Sequence, residues 1–348
     1  MLSQSVPDPS ELHTIADLNL WLITVGGILA LLALDFLITR RPHAVSMKEA
    51  LGWSAFYIAL PLTFGLYVWN VHGHQIGLEY YTGYLVEKSL SVDNLFIFIL
   101  ILTTFAVPRE LQQRVLLFGI IGALVLRTIF IALGAVLISQ FAAIFLVFGA
   151  ILLFTAWGVL KDARSDTHTD VNELKAVKIV RRFWPITDDY QGTKLSVREQ
   201  GKRALTPLGL VMLAILGTDV VFAVDSVPAV YGITGDPYLV FVTNAFALLG
   251  LRALYFVLEG ALGKLRYLGY GLALILAFIG VKLVLHWAHG VWEGVPTVPT
   301  LVSLVVIVVV LVVTAVASIV AEKRDPTTED PEDTDAINQT TVSPTDDR

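Results

Sequence analysis

Apolar stretches of about 20 residues recur along the chain, and short polar connections separate them. A stretch of that length crosses the ~30 Å hydrocarbon core of a bilayer as an α-helix. We count nine such segments, at residues 18–39, 50–70, 80–106, 113–138, 140–160, 205–231, 238–259, 266–289 and 299–320. The pattern therefore predicts an all-α, polytopic membrane protein with about nine transmembrane helices.

Basic residues predict the orientation of these helices. Lys and Arg occur in alternate connections, and the longest connection, 161–204, carries ten of them. The other connections, 71–79, 139–140, 232–237 and 290–298, carry none. Because Lys and Arg concentrate in cytoplasmic loops, we expect the N-terminus outside and the C-terminus in the cytoplasm.

Composition agrees with a membrane protein and narrows the chemistry. The chain is 55% hydrophobic and 16% charged, with a mean hydropathy of +0.72. It has no Cys, which excludes disulfides, thiolate metal sites and Cys nucleophiles. Residues 325–348 hold eight acidic side chains against one Arg, so we expect 322–348 to be a disordered acidic cytoplasmic tail. The preceding parts are an extracytoplasmic N-terminus, 1–17, and a transmembrane domain, 18–321. Nothing indicates nucleic-acid binding.

Two of the apolar segments contain related acidic motifs. Segment three reads Glu87-Lys-Ser-Leu-Ser-Val-Asp93-Asn94, and segment six reads Asp219-Val-Val-Phe-Ala-Val-Asp225-Ser226. In each motif the second acid follows the first by six residues and precedes a short polar residue. An ionisable group in hydrocarbon costs about 2.5 kcal/mol or more, so these side chains should be paired, hydrated or functional.

The similarity between the two regions extends beyond the acidic motifs. Leu126-Arg127 and the apolar residues after it resemble Leu251-Arg252 and its apolar continuation. Further along, Phe148-Gly149 and Ile279-Gly280 each open a similar apolar run. The chain therefore contains a candidate internal repeat.

The repeat predicts two three-helix units of opposite orientation. Repeat one spans 80–160, the cytoplasmic loop spans 161–204, and repeat two spans 205–290. An odd number of spans in each copy inverts the second copy relative to the first. In inverted-repeat transporters the substrate site lies at the repeat interface near the bilayer midplane.

The charged residues of the repeats suggest a cation site. Arg127 and Arg252 lie near the middle of their segments, so each should pair with a carboxylate. Four motif acids and two Arg carry a formal charge of −2, which complements one divalent cation. Lys282 stands where the other copy has Ile151, and we weigh a counter-ion or proton-coupled role evenly against a structural one.

Helix geometry sets a condition for the site. On a straight helix the second acid of each motif lies about 120° from the first. Convergence on one ion then needs a helix break or a partner helix. Pro228 is a candidate break in segment six, because it lacks an N–H and clashes with the carbonyl of Val224. The alternative is structural: buried Arg–carboxylate pairs that hold the bundle together.

Several stretches resemble the TerC/Alx family of bacterial integral membrane proteins. They are Glu87–Asn94 with Leu-Phe after it, Tyr190–Gly192, Ala204–Leu208, Thr218–Ala229, Asp236–Tyr238 and Asn244–Tyr255. The resemblance implies a multi-pass plasma-membrane protein of metal homeostasis, with members linked to manganese export and others named for tellurium resistance. It also implies a functional role for Glu87, Asp93, Asn94, Asp219, Asp225 and Ser226. Leu216 is a departure, because many members carry Glu there.

These observations lead to one main hypothesis and one alternative. The main hypothesis is a divalent cation transporter, with Mn²⁺ export as the first candidate, working by alternating access of two inverted repeats. Carboxylate, amide and hydroxyl oxygens suit Mn²⁺, Mg²⁺ or Ca²⁺, and the ion is cargo rather than a bound cofactor.

The alternative is a membrane scaffold or insertion factor that acts through partner proteins, with the acids in structural Arg pairs. We expect no enzyme, since HExxH, a Ser/His pair and a phosphate loop are all missing. Expected partners are the lipid bilayer, a divalent ion, and further copies of the chain or other membrane proteins.

Overall fold

The computed structural model describes residues 14–39, 46–141, 143–164, 187, 192, 194–199, 202–259, 267–292 and 294–324. Its helices are α1 (Leu18–Thr39), α2 (Met47–His72), α3 (His74–Thr104), α4 (Arg109–Gln140), α5 (Ile144–Arg164), α6 (Pro207–Tyr231), α7 (Pro237–Leu249), α8 (Leu251–Glu259), α9 (Leu268–Val291) and α10 (Thr300–Arg324). Two strands, β1 (Ser196–Glu199) and β2 (Lys202–Leu205), precede α6.

The helices have the lengths of membrane spans. Within the described residues, seven helices are long and apolar enough to cross a bilayer, and the pair α7 and α8, bent by 42°, makes up to eight. Helix α3 has 31 residues and covers most of predicted segment three, but it carries four Asp, Glu or Lys side chains, at Glu79, Glu87, Lys88 and Asp93. The multi-pass helical architecture is thus confirmed. The count of nine spans, the repeat and the orientation stay predictions.

Short polar residues and prolines fix where two central helices begin. The Thr206 hydroxyl accepts a hydrogen bond from the N–H of Gly209 at 3.1 Å, and Pro207 opens α6. The Asp236 carboxylate accepts from the N–H of Tyr238 at 2.8 Å, and Pro237 opens α7. Both starts combine an N-cap side chain with a proline that needs no hydrogen-bond donor in the first turn.

Helices α3 and α7 form the centre of the bundle. Helix α3 packs against α2, α6, α7, α8, α9 and α10. Every side chain of α7 from Tyr238 to Leu249 is buried. By contrast, α1 and α10 expose large apolar side chains such as Leu22 and Val313, which suits contact with lipid. The polar residues of the first motif therefore lie on a helix that neighbouring helices surround.

A close contact joins two glycines that the repeat aligns. A Cβ added to Gly149 of α5 would lie 2.9 Å from the carbonyl oxygen of Gly280 of α9. A Cβ added to Gly280 would lie 3.1 Å from the carbonyl oxygen of Gly149. Small residues allow membrane helices to approach this closely. The reciprocal contact is the one expected across a two-fold axis between repeats.

The β-hairpin is a departure from the all-α prediction. Strands β1 and β2 pair antiparallel, with Ser196 opposite Leu205 and Val197 opposite Ala204. The Thr206 hydroxyl donates to the carbonyl of Lys194 at 2.7 Å, which attaches the hairpin to the start of α6. The sequence between Ser196 and Leu205 is too short and polar for a span, so its strand pairing gave no hydropathy signal.

Helices α5 and α10 extend past the ends of the predicted segments. Helix α5 continues to Arg164 inside the predicted loop, and α10 continues to Arg324 inside the predicted acidic tail. Most of the loop, the tail from 325 onward, and residues 1–13 lie outside the described residues.

The prediction of a helix break at Pro228 is wrong. Helix α6 runs without interruption from Pro207 to Tyr231, with Pro228 in its last turn. A proline so close to a helix end removes one hydrogen bond but does not have to stop the helix. The break in this part of the bundle lies instead at Gly250, between α7 and α8.

Candidate functional site

A buried guanidinium lies at the meeting point of four helices. Arg127 of α4 is fully buried. Its Nη1 donates to Glu87 Oε1 of α3 and, at 2.9 Å, to Asn244 Oδ1 of α7. Its Nη2 donates to Asp219 Oδ1 of α6 at 3.4 Å. One cation thus joins the first acids of both motifs.

The amide of Asn94 completes this set. With its oxygen turned toward Arg127, Asn94 accepts from Nη2 at 3.1 Å and donates to the carbonyl of Leu90 at 3.1 Å. The orientation follows from the hydrogen-bond network, because the opposite one sets oxygen against oxygen. We call the five residues Glu87, Asn94, Arg127, Asp219 and Asn244 the Arg127 cluster.

The two motif helices cross as an antiparallel pair. A Cβ at Gly83 of α3 would lie 3.3 Å from Val230 Cγ1 of α6. Counting from that contact with equal rise along both helices puts Glu87 opposite Ser226, and Asn94 opposite Asp219. The first acid of each motif thus stands at the level of the neutral residue of the other motif.

Two oxygens of the Arg127 cluster, and two more on the same helices, form no hydrogen bonds in the described part of the chain. Within the described residues, Glu87 Oε2, Asp219 Oδ2, Ser91 Oγ and Ser226 Oγ are buried and have no hydrogen-bond partner. All four side chains are at most 1% exposed. Buried polar atoms are nearly always paired, and Ser91 and Ser226 share helix faces with Glu87 and Asp219, so the four oxygens are candidates for ligand contact. They are hard donors of the kind that Mn²⁺, Mg²⁺ and Ca²⁺ prefer.

The second acids of the motifs are not placed with the first. Asp225 is half-buried and lines an apolar groove of about 760 Å³ between α5 and α6, together with Thr155 and Val221. Because α6 is unbroken, Asp225 stays on a different face from Asp219. The side chain of Asp93 lies outside what the structure describes. Among the described side chains, no group of three His, Asp or Glu is arranged to hold a metal ion.

Arg252, the counterpart of Arg127 in the predicted repeat, contacts an acid from outside both motifs. Its Nη2 donates to Asp35 Oδ1 of α1 at 2.5 Å, and both side chains are buried. The pair ties the first helix to α8. The pairing of Arg252 with a carboxylate agrees with the cost of an isolated charge in the membrane.

Lys282 interacts with an acid outside the Arg127 cluster. It sits half-buried on α9, and its charge interacts with that of Glu79 on α3. Glu79 also accepts hydrogen bonds from Thr234 at 2.9 Å and from Gln75 at 3.1 Å. This group lies two turns along α3 from Glu87, toward the predicted outer side.

Asp236, in the loop before α7, lies at the same end of the bundle. Asp236 accepts hydrogen bonds from the N–H groups of Ile15, at 2.7 Å, and Tyr238. Burial raises the pKa of Asp236 above its ordinary value, although these hydrogen bonds act in the opposite direction. Ile15 is thereby held beside the start of α7.

Asn244 is the cluster member that sequence reasoning did not assign to the site. It is a lone amide in an otherwise apolar stretch of α7 and is 1% exposed. A polar residue alone in a membrane segment is itself a signal. Its donation to the carbonyl of Val240 at 3.0 Å holds its oxygen toward Arg127.

Fold and cluster together define a class of protein: a multi-pass α-helical membrane protein with an ion-paired centre shared by two acidic motifs. Residues 72–326 match the Integral membrane protein TerC family. The chain belongs to that family, and it is a multi-pass protein of the bacterial plasma membrane.

Several bacterial proteins are similar to most of the chain. The uncharacterized membrane protein Rv2723 of Mycobacterium tuberculosis is 44% identical over 273 residues, which cover 77% of this chain and 68% of the relative. A membrane protein of Myxococcus xanthus, STKORF319, is 40% identical over 77% of this chain and 83% of its own length. Alx of Escherichia coli, whose name proposes a membrane-bound redox modulator, is 40% identical over 79% of this chain and 88% of its own length. No solved structure matches the chain.

Proposed function

We propose that the chain is a divalent cation transporter that binds its ion between Glu87 and Asp219, with Mn²⁺ export as the first candidate activity. One observation carries the proposal. The two acids come from different motifs and share a single guanidinium, while each keeps a buried oxygen without a partner. Ser91 and Ser226 add two more unused oxygens.

Arg127 acts in this proposal as a built-in counter-ion. One guanidinium and two carboxylates leave a formal charge of −1 buried in the bundle, which favours an arriving cation. A divalent ion between Glu87 and Asp219 would replace the hydrogen bonds of Arg127 to those two acids. When the ion leaves, the guanidinium returns, so the acids are never left as unpaired charges in the bilayer.

The helix contacts allow such an exchange to be coupled to movement. Helix α3 carries Glu87 and helix α6 carries Asp219, and the two helices meet through Gly83 and Val230. Rocking of one predicted repeat against the other would separate Glu87 from Asp219 and alter the coordination of the ion. Asp93, Asn94, Asp225 and Ser226 would then supply ligands along the path, and the groove at Asp225 offers one route to α6.

A thiol-based redox role is excluded for this chain, because it has no Cys. If the redox function in the name of Alx extends to this chain, we propose that it acts through the metal ion. We propose that any role in tellurium resistance also acts through the metal ion, because the described residues show no binding site for an oxyanion.

The proposal predicts a transport defect in Asp219→Asn. The amide keeps the size of the side chain but removes the charge, so Mn²⁺ uptake into inverted vesicles should fall at least about tenfold at equal expression. The matched control is Asp35→Asn, which also removes a buried, Arg-paired carboxylate but should keep most of the activity. Wild-type uptake by Asp219→Asn would contradict the proposal and favour the scaffold alternative.

A further inference from the structure

The break between α7 and α8 leaves a helix end inside the bundle. Helix α7 has 13 residues, which span about 20 Å, so its carboxyl end lies within a hydrocarbon core of about 30 Å. The chain turns there by 42° at Gly250 before α8 begins. The last four carbonyls of a helix lack intrahelical donors and carry the negative end of the helix dipole.

The side chain of Lys88 reaches this helix end. Its Nζ donates to the carbonyl oxygen of Ala247, one of the last four of α7, at 3.3 Å. Gly250 leaves the necessary room, since a Cβ there would lie 3.0 Å from Lys88 Nζ and 3.1 Å from Tyr57 Cβ. Lys88 follows Glu87 in sequence, but consecutive residues point about 100° apart on a helix, so the two side chains serve different neighbours.

Among the described side chains, no carboxylate pairs with the ammonium of Lys88. In the part of the chain that the structure describes, the ion pairs of the membrane helices join Arg127 with Glu87 and Asp219, and Arg252 with Asp35, and none involves Lys88. A charged group in the bilayer needs compensation, and here the carbonyl of Ala247 and the negative end of the α7 dipole provide it. Carbonyl ends of broken membrane helices are also where transporters coordinate singly charged coupling ions.

We propose that the carboxyl end of α7 is a monovalent-cation site that the chain fills with its own Lys88 ammonium. The covalently attached charge takes the place of a free Na⁺, K⁺ or ammonium ion. The folded protein therefore has no requirement for a monovalent cation, and shortening residue 88 creates one. This inference does not depend on divalent transport, and it can hold or fail separately from it.

The test compares two variants of residue 88 in the full-length protein. Lys88→Ala removes both charge and side-chain volume, whereas Lys88→Met removes the charge but keeps the volume. Melting temperatures are measured in detergent with a chelator, in chloride salts of Na⁺, K⁺, ammonium or choline at equal ionic strength. Choline is the reference, because it is too large to enter the site.

The proposal predicts three results. Wild type melts at the same temperature in all four salts. Lys88→Ala melts lower in choline and regains most of the loss in at least one of the small cations, by mass action. Lys88→Met melts lower than wild type and does not respond. Equal melting of Lys88→Ala in all salts, an equal response of Lys88→Met, or a response of wild type would each overturn the proposal.

Poor folding of Lys88→Ala also gives a decisive result. The variant is purified in parallel in ammonium and in choline, and folded protein is quantified by size-exclusion chromatography. Recovery in ammonium but not in choline supports the site. Equal recovery, or loss in both, contradicts it.

Discussion

Arg127→Met is expected to lose about 3–5 kcal/mol of stability when divalent ions are absent, because it leaves Glu87 and Asp219 as buried carboxylates without their shared guanidinium. Met has a similar length and no charge, so the loss comes mainly from electrostatics. Added Mn²⁺ should restore much of the stability, since a divalent cation can take the position between the two acids.

Thermal unfolding of the purified variant, with chelator or with Mn²⁺, measures both effects. Lys88→Met is the matched control, because it removes a membrane cation that has no ion pair among the described residues. It should be destabilised but should not respond to Mn²⁺ in the way that Arg127→Met does. A similar Mn²⁺ response in both variants would show that the ion acts elsewhere.

The triple variant Glu87→Gln, Asp219→Asn, Arg127→Met is expected to separate stability from function. It replaces a buried ionic network by neutral groups of similar size, a change that often leaves stability unaltered or improved. It should therefore melt close to wild type and well above Arg127→Met alone. Its Mn²⁺ uptake into inverted vesicles should be abolished, because both charged ligands are gone.

Melting and uptake have to be measured on the same preparation. The scaffold alternative predicts the opposite for activity: a stable neutral core would then keep its function intact. A triple variant that melts like wild type and also transports like wild type would rule out an ion site at this cluster.

The membrane architecture and the first acid of each motif could be picked out from the sequence, because both depend on local pattern. Apolar length predicts spans, and an acid in an apolar segment is conspicuous whatever the fold. The pairing of Arg127 with Glu87 and Asp219 together was not accessible. It depends on α4 packing against α6 and α7 while Arg127 reaches Glu87 on α3, which is a tertiary arrangement that the segments do not encode one by one.

The helix break shows a second limit of sequence reasoning. Pro228 was the stronger signal, yet α6 continues through it, whereas Gly250 marks the bend. A proline in a last turn costs little, and a glycine in a membrane segment often serves close packing instead of bending. At Gly250 an added Cβ would lie 3.0 Å from Lys88 Nζ and 3.1 Å from Tyr57 Cβ, so the bend coincides with a close approach of neighbouring side chains that the sequence does not reveal.

The central claim is that Arg127 and a divalent cation compete for the same two carboxylates. Mn²⁺ affinity of the purified protein, compared between wild type and Arg127→Met by equilibrium binding, tests it most directly. Competition predicts that Arg127→Met binds Mn²⁺ at least about tenfold more tightly than wild type, and that adding Asp219→Asn removes this gain. Unchanged or weaker binding in Arg127→Met would contradict the account.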